Sequence, residues 1–242
     1  MEKVKMQGLK QGVVIHEDDH TVCILIGFND PSDNIKTGRL LQQYSLVKSF
    51  PPTEASKLGE DEKICGDCKH RWYSGGICYV TLFRGPLQVY KQWKAGNYDP
   101  IEKAPIYQEA LKEDKLKANA IRWGAYGESV IMPVEKVREW NECADDWTGY
   151  THQWAKKPEF VGMLQASVDS IEEYLQAKSM GWYTFRVDTE ENAKPMRGET
   201  WCLNYKSKDI KCTDCMLCNG SRRDILNVVH GSRKNRFKLS AA

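Results

Sequence analysis

The chain has 242 residues, 41% of them hydrophobic and 28% charged, the balance of an ordinary globular protein, which excludes collagen-like, low-complexity and wholly disordered chains. Thirty-five Lys and Arg against 33 Asp and Glu leave a net charge of +2, so this is not a basic body that coats nucleic acid non-specifically, and any nucleic-acid contact has to be local. No run approaches the roughly 18 apolar residues of a membrane span, and the N-terminal MEKVKMQGLKQ lacks the apolar core of a signal peptide. The expectation is a cytoplasmic protein with no membrane partner.

Residues 1–39 read as an N-terminal β-hairpin extension, with GVVIHE and TVCILIGFN as strands joined by the polar turn Asp18-Asp19-His20 and closed by the loop PSDN at 31–34. YSLVKSF at 44–50 is the next strand, and PPTEASKLGEDEK after it reads as a long breaker-rich polar loop. PLQVYKQWKAG (86–96) and PIYQEALKEDKLKA (105–118) follow as helices, the former with a Gly stop.

A rhythm then sets in. AIRWGAYG reads as strand, PVEKVREWNECA as helix, WTGYTHQW and LQASVDS as strands, SIEEYLQAKSMG as a helix stopped by Gly181, and YTFRVDT as strand. DILNVVHGSRKNRFK offers one more helix or strand before a basic tail. Short apolar strands alternating with amphipathic helices indicate parallel βα units. The predicted class is therefore α/β: a partial (β/α) barrel over residues 40–200, completed by a cysteine-rich segment at 201–242.

In βα architectures the loops after the strands' C-terminal ends gather the functional groups. The ends here carry Tyr126-Gly127-Glu128, Thr151-His152, Ser167-Val168-Asp169, and Arg186 with Asp188. Asp169, His152 and Arg186 are the candidate catalytic residues, and Tyr126, Gly127, Glu128 and Ser167 the candidate cofactor-binding residues. Asp169-Ser170 before IEEYL fits a helix cap equally well, and Glu128 fits a first-turn carboxylate favourable to the helix dipole.

Nine cysteines are present, and seven fall into two tight groups rather than a disulfide framework. Such grouping in a reducing compartment favours metal. Cys23 and Cys143 sit among apolar residues and read as buried thiols behaving as small hydrophobes. Cys65-Gly-Asp-Cys68 with Cys78 offers three thiolates, and Cys202 with Cys212-Thr-Asp-Cys215-Met-Leu-Cys218 offers four. These are the ligand counts of an iron–sulfur cluster with one open iron and of a closed one. A closed zinc site with four thiolate ligands fits Cys202, Cys212, Cys215 and Cys218 equally well, and His70 or His230 are available as further ligands.

With the βα region read beside the first cysteine group, the chain resembles the radical S-adenosylmethionine (SAM) superfamily. YSLVKSF followed by Cys65, Cys68 and Cys78-Tyr79 is similar to that family's cluster loop, although the spacing of two and then nine replaces CxxxCxxC. IRWGAYGESVIMPVEKVREW resembles its Gly-Gly-Glu-Pro strand end, with Gly127 and Glu128 in place and Ser129 where the proline stands. LQASVDSIEEYLQAKSMGWYTFRV resembles the fourth and fifth strands and the helix between them. The chain is also similar to bacteriophage proteins that combine a three-cysteine Cys-Tyr loop with a C-terminal CxxCxxC. The resemblance covers roughly residues 40–235 and implies a [4Fe-4S] cluster on Cys65, Cys68 and Cys78, with a second at the C-terminal set if that set holds iron. It also implies SAM as cofactor with its ammonium on Glu128, an electron donor as partner, and phage-encoded expression in a host cell.

Arg122-Trp123, Tyr126, Tyr150-Thr-His152-Gln-Trp154 and Trp182-Tyr183 with Arg186 interleave flat rings and basic groups. That chemistry suits a nucleobase, nucleotide or similar small polar substrate, though Trp and Tyr also serve as ordinary core and rim residues. Arg222-Arg223 and Arg233-Lys234-Asn-Arg236-Phe-Lys238 either touch phosphate or form a solvated tail. Two alternatives stand beside the enzyme reading: a zinc-stabilised nucleic-acid-binding protein, and a zinc-containing barrel that modifies bases without radicals, with Asp169 or Asp188 as nucleophile or base.

Overall fold

The computed structural model describes residues 9–113, 116–231 and 233–237. They form a mixed α/β fold with one mixed sheet, one wholly parallel sheet and a small two-stranded ribbon. The N-terminal strands are β1 (Gly12–Glu17), β2 (Thr21–Ile26), β3 (Asp33–Asn34), β4 (Gly38–Arg39), β5 (Leu41–Val47) and β6 (Asp99–Pro100). The remainder are β7 (Ala120–Tyr126), β8 (Asp146–Thr148), β9 (Tyr150–Thr151), β10 (Gln165–Val168), β11 (Thr184–Asp188), β12 (Glu199–Trp201) and β13 (Asp224–Val228). The mixed sheet has the order β6-β1-β2-β5-β7-β8, and the parallel sheet β12-β13-β11-β10-β9.

The hairpin forms because the Asp18 carboxylate accepts from the backbone N–H of His20 and Thr21, each at 2.7 Å, closing the polar turn. Val13–Ile15 and Val22–Ile26 are continuous apolar runs rather than alternating ones, because both faces are covered. Val13, Ile15, Cys23 and Leu25 enter one core with Leu41, Ile121 and Trp140, whereas Val14, Val22 and Ile24 enter the other with Tyr44, Leu46 and Ile64. β2 pairs antiparallel with β5, so the hairpin extends the same sheet that receives the parallel strands.

The strand expected at 44–50 runs instead from Leu41 to Val47. Residues 51–63, expected as a polar loop, are largely helical, with helices Pro52–Lys57 and Glu62–Cys65. Pro51 and Pro52 stand at a helix start, where a missing N–H costs nothing, and the Ser56 hydroxyl donates to Asp61 at 2.7 Å to join the two pieces. WTGYTHQW is broken at Gly149: β8 belongs to the mixed sheet and β9 to the parallel one. A Cβ at Gly149 would come within 2.7 Å of Trp123 and 2.8 Å of Leu164, so this close approach requires glycine. Through this switch the parallel strands follow one another as β5, β7, β8/β9, β10, β11 and β13, with β12 at the edge. Of the helix expected at 105–118, Ile106–Lys112 is helical, and residues 114–115 lie outside the described residues. DILNV is strand β13 rather than helix.

Cys23 and Cys143 are buried thiols, and burial pushes Cys23 up to about 12. Among the described residues no helix is long and apolar enough to cross a membrane.

Candidate active site

The C-terminal ends of β7, β9, β10, β11 and β13 and the first cysteine loop surround one cavity of about 140 Å3. Cys65, Cys68 and Cys78 line one side; Gly127, Glu128, His152, Ser167, Asp169 and His230 line the others.

The loop that carries the cysteines is tied down at each one. Cys65 ends the helix Glu62–Cys65, and its carbonyl accepts from Gln153 Nε2 at 3.1 Å. Gly66, at φ +58°, turns the chain beneath Gln153, where a Cβ would come within 2.5 Å of that side chain. The nine residues between Cys68 and Cys78 fold back on themselves: Gly76 N–H donates to the Arg71 carbonyl, and Cys78 N–H to the His70 carbonyl at 2.9 Å. Arg233 clasps this fold, stacking 3.6 Å over the Trp72 ring and donating to the carbonyls of Trp72 and Gly76. The basic tail expected at 233–238 is therefore partly an internal clamp, and Lys238 lies outside the described residues.

Gly127 brings the second element in. At φ +69° it turns the end of β7 so close to Ser45 and Ile64 that a Cβ would lie 2.8 Å from Ser45. Glu128 N–H then donates to the Ile64 carbonyl at 2.7 Å, and Ser45 Oγ donates to the Glu128 carbonyl at 2.8 Å. Glu128 Oε1 accepts from His152 N–H at 3.0 Å, whereas Oε2 is buried without a partner. Tyr126 Oη and His70 Nδ1 are likewise buried and unpartnered. Three unpartnered polar atoms thus belong to residues that line the cavity, and such groups cost free energy unless paired.

Asp169 is not the helix cap. Ser170 caps Ile171–Ser179 by accepting from Glu173 N–H at 3.1 Å, which leaves Asp169 facing the cavity. Its Oδ2 lies 2.6 Å from His70 Nε2 and 3.2 Å from Lys69 Nζ. Burial opposes its ionisation, but His70, His152 and Lys69 hold the carboxyl at about 2. Burial also opposes the charge on His152, yet Cys68 and Glu128 more than offset it and raise the imidazole well above its ordinary value. Ligand atoms of His70, His152 and Asp169 lie within 4.8 Å of one another, close enough to hold a metal ion.

Burial pushes the Cys65 thiol well up, and Cys68, Glu128 and Cys78 add to it; burial does the same to Cys78.

The seven grouped cysteines divide in space as they do in sequence. Cys202, Cys212, Cys215 and Cys218 line a separate small pocket of about 30 Å3 with Thr148, Met216 and Ile225. Gly38 packs against Thr213 of this segment, and Cys212 and Thr213 N–H donate to the Lys36 and Thr37 carbonyls, so the ribbon β3–β4 cradles it.

Arg186 is turned away from the cavity, which its neighbours Phe185 and Val187 line instead. It is buried and donates to Glu199 through Nε at 2.9 Å and Nη2 at 2.8 Å, and to Asp188 at 3.1 Å. Trp123, Trp154 and Trp182 are core residues, whereas Tyr126 and Tyr150 line the cavity. Tyr150 stacks on Phe185 at 4.6 Å, and Phe237 stacks on His70 at 6.4 Å. The sequence reading missed Phe185 and Phe237. A lone aromatic inside the basic tail RKNRFK was the available signal for the latter.

No protein-family model, curated protein or solved structure matches the chain.

Proposed function

We propose that this protein is an iron–sulfur enzyme of the radical SAM type acting on a nucleobase, nucleotide or similar small polar substrate. One observation carries the reading: Cys65, Cys68 and Cys78 share a single cavity with the Gly127-Glu128 turn and with His152, Ser167 and Asp169 at the ends of parallel strands.

The donor count fits a cubane with one iron left for a ligand, because three cysteines line one cavity together with residues that carry buried, unsatisfied polar atoms. When bound, the cluster supplies an electron that cleaves SAM to a carbon radical, and the protein contributes orientation and shielding. Glu128 Oε2 has the free lone pairs to accept from the SAM ammonium. Tyr150 and Phe185 provide a flat stacked surface for a base, and Asp169 and His152 are the polar groups that face it. The parallel succession β5, β7, β8 in one sheet and β9, β10, β11, β13 in the other supports the partial (β/α) barrel of this reading, and we take the cavity to be its open C-terminal face. The Cys202, Cys212, Cys215, Cys218 set, with four thiols around a small pocket, suits a fully ligated centre, a second [4Fe-4S] cluster or zinc, serving structure or electron transfer.

A second reading, a zinc enzyme without a radical step, draws on one observation, the convergence of His70, His152 and Asp169 within 4.8 Å. Metal and sulfide content with a visible spectrum, on protein purified without oxygen, separates the two. Iron and acid-labile sulfide in comparable amounts, with a brown absorbance that bleaches on reduction and SAM cleavage on reduction, is the expected result. Colourless protein containing only zinc sinks the radical reading.

A further inference from the structure

Between the two cysteine groups the structure collects cations without carboxylates. Arg122 Nη2 donates to Tyr79 Oη at 2.9 Å, and Tyr79 Oη lies 2.9 Å from Tyr150 Oη. The Tyr79 ring packs on His230 at 5.2 Å, and His230 Nε2 lies 2.9 Å from Lys36 Nζ. Lys208 is the third cation in this field. Burial, then Lys36, Lys208 and Arg122, hold His230 down to about 4, so it is neutral at neutral pH. Among the described residues neither Lys36, Arg122 nor Lys208 forms an ion pair with Asp or Glu, although most other buried or half-buried cations among them do, Arg71, Lys178 and Arg186 included.

Like charges converging without acids are unfavourable unless an anion offsets them. We infer that Lys36, Arg122 and His230, with the Tyr79 hydroxyl, form the subsite for a phosphate monoester, carried by a mononucleotide whose base lies against the Tyr150–Phe185 stack. The inference rests on the reading of the cavity as a substrate site. Three observations favour it. His230 and Tyr79 line that cavity, so an anion held by them is continuous with a ligand inside. Tyr79 is 41% exposed, which leaves the subsite open to solvent for entry. A guanidinium beside an ammonium matches a doubly charged phosphate better than a single carboxylate. The competing role for these cations is to offset the thiolates of Cys212 and Cys218, which also feel Lys36.

The test is calorimetric titration of the full chain, purified without oxygen with its metals, using inorganic phosphate, the four common nucleoside 5′-monophosphates, their nucleosides, and a short oligonucleotide lacking terminal phosphates. At least one monophosphate is expected to bind tenfold or more tightly than its nucleoside. Lys36→Met and Arg122→Gln are each expected to remove most of that advantage with metal content unchanged, and Arg122→Lys to restore part of it. Equal binding of nucleoside and monophosphate would overturn the inference. So would variants that keep phosphate affinity but lose metal, which would assign the cations to the thiolates, or an oligonucleotide that outcompetes every monophosphate. Iron, sulfide and SAM cleavage are measured on the same preparation: their absence, with the phosphate advantage intact, removes the radical reading and leaves the subsite standing.

Discussion

The two cysteine groups both contain a CxxC, and their surroundings differ. The first opens onto a cavity of about 140 Å3 ringed by buried polar atoms without partners, whereas the second lines a pocket of about 30 Å3 among Leu203, Met216 and Ile225. Room plus unmet hydrogen bonds is the signature of a ligand site; four thiols around a space too small for a substrate suit a fully ligated centre. Cysteine spacing alone does not separate the two groups, whereas the strand ends beside each of them do.

The largest effect expected is from the open group: Cys65→Ala, Cys68→Ala or Cys78→Ala removes one cluster's absorbance and abolishes SAM cleavage. Cleavage retained in all three breaks the comparison at its root. At the second group, the proposed fully ligated centre makes Cys218→Ser the loss of a ligand, and such structural metal sites contribute on the order of 10 kcal/mol. The variant is expected to expose residues 202–218 to limited proteolysis, with the first group's absorbance unchanged; equal loss from both groups would mean one shared centre.

Arg186→Met sharpens the distinction between cavity and scaffold, since it strands the buried Glu199 carboxylate without its cation. Removing one partner of a buried pair costs about 3–5 kcal/mol, a drop in thermal midpoint of roughly 6–20 °C at about 2–4 °C per kcal/mol for a chain of this size. A midpoint unchanged by this variant would contradict the structural role. Glu128→Gln keeps the shape and removes the charge offered by Oε2, and a tenfold rise in KM for SAM with the cluster retained is expected; an unchanged KM would move the ammonium elsewhere.

The smallest effect is in pH dependence. His230 is held at about 4 in the fold against an ordinary 6.5. Above 6.5 both states are neutral and this residue contributes no slope. Between 6.5 and 4 only the unfolded chain takes up the proton, so stability falls as pH falls, and below 4 the loss from this group ceases. His230→Asn should flatten that part of a denaturation profile, and an identical profile would place the ring in solvent.

Much of the chain was legible because its signals are local. The Asp18 turn, the Gly181 stop, the βα alternation from residue 120 onward and the pairing of Cys65 with Cys68 follow from short-range backbone chemistry and hydrophobic period. The misreadings have physical reasons as well. PPTEASKLGEDEK carries breakers, yet its prolines sit at a helix start where they are tolerated, and Ala55 within it and Ile64 just after it are buried by packing that no local window reveals. Asp169 and Ser170 were interchangeable as caps until the fold turned one hydroxyl to Glu173 and one carboxylate to His70.

By itself the sequence determined the α/β class, the strands of 120–188 apart from the break at Gly149, and the existence of two thiol groups rich enough in ligands for metal. Only the tertiary structure decided that Cys78, ten residues beyond Cys68, returns to the same wall, and that Arg233 is its clamp. It also decided that Arg186 belongs to the scaffold and His70 to the cavity. These depend on which face of a strand or loop is turned inward, a choice made by long-range packing and by charges that must find partners once buried.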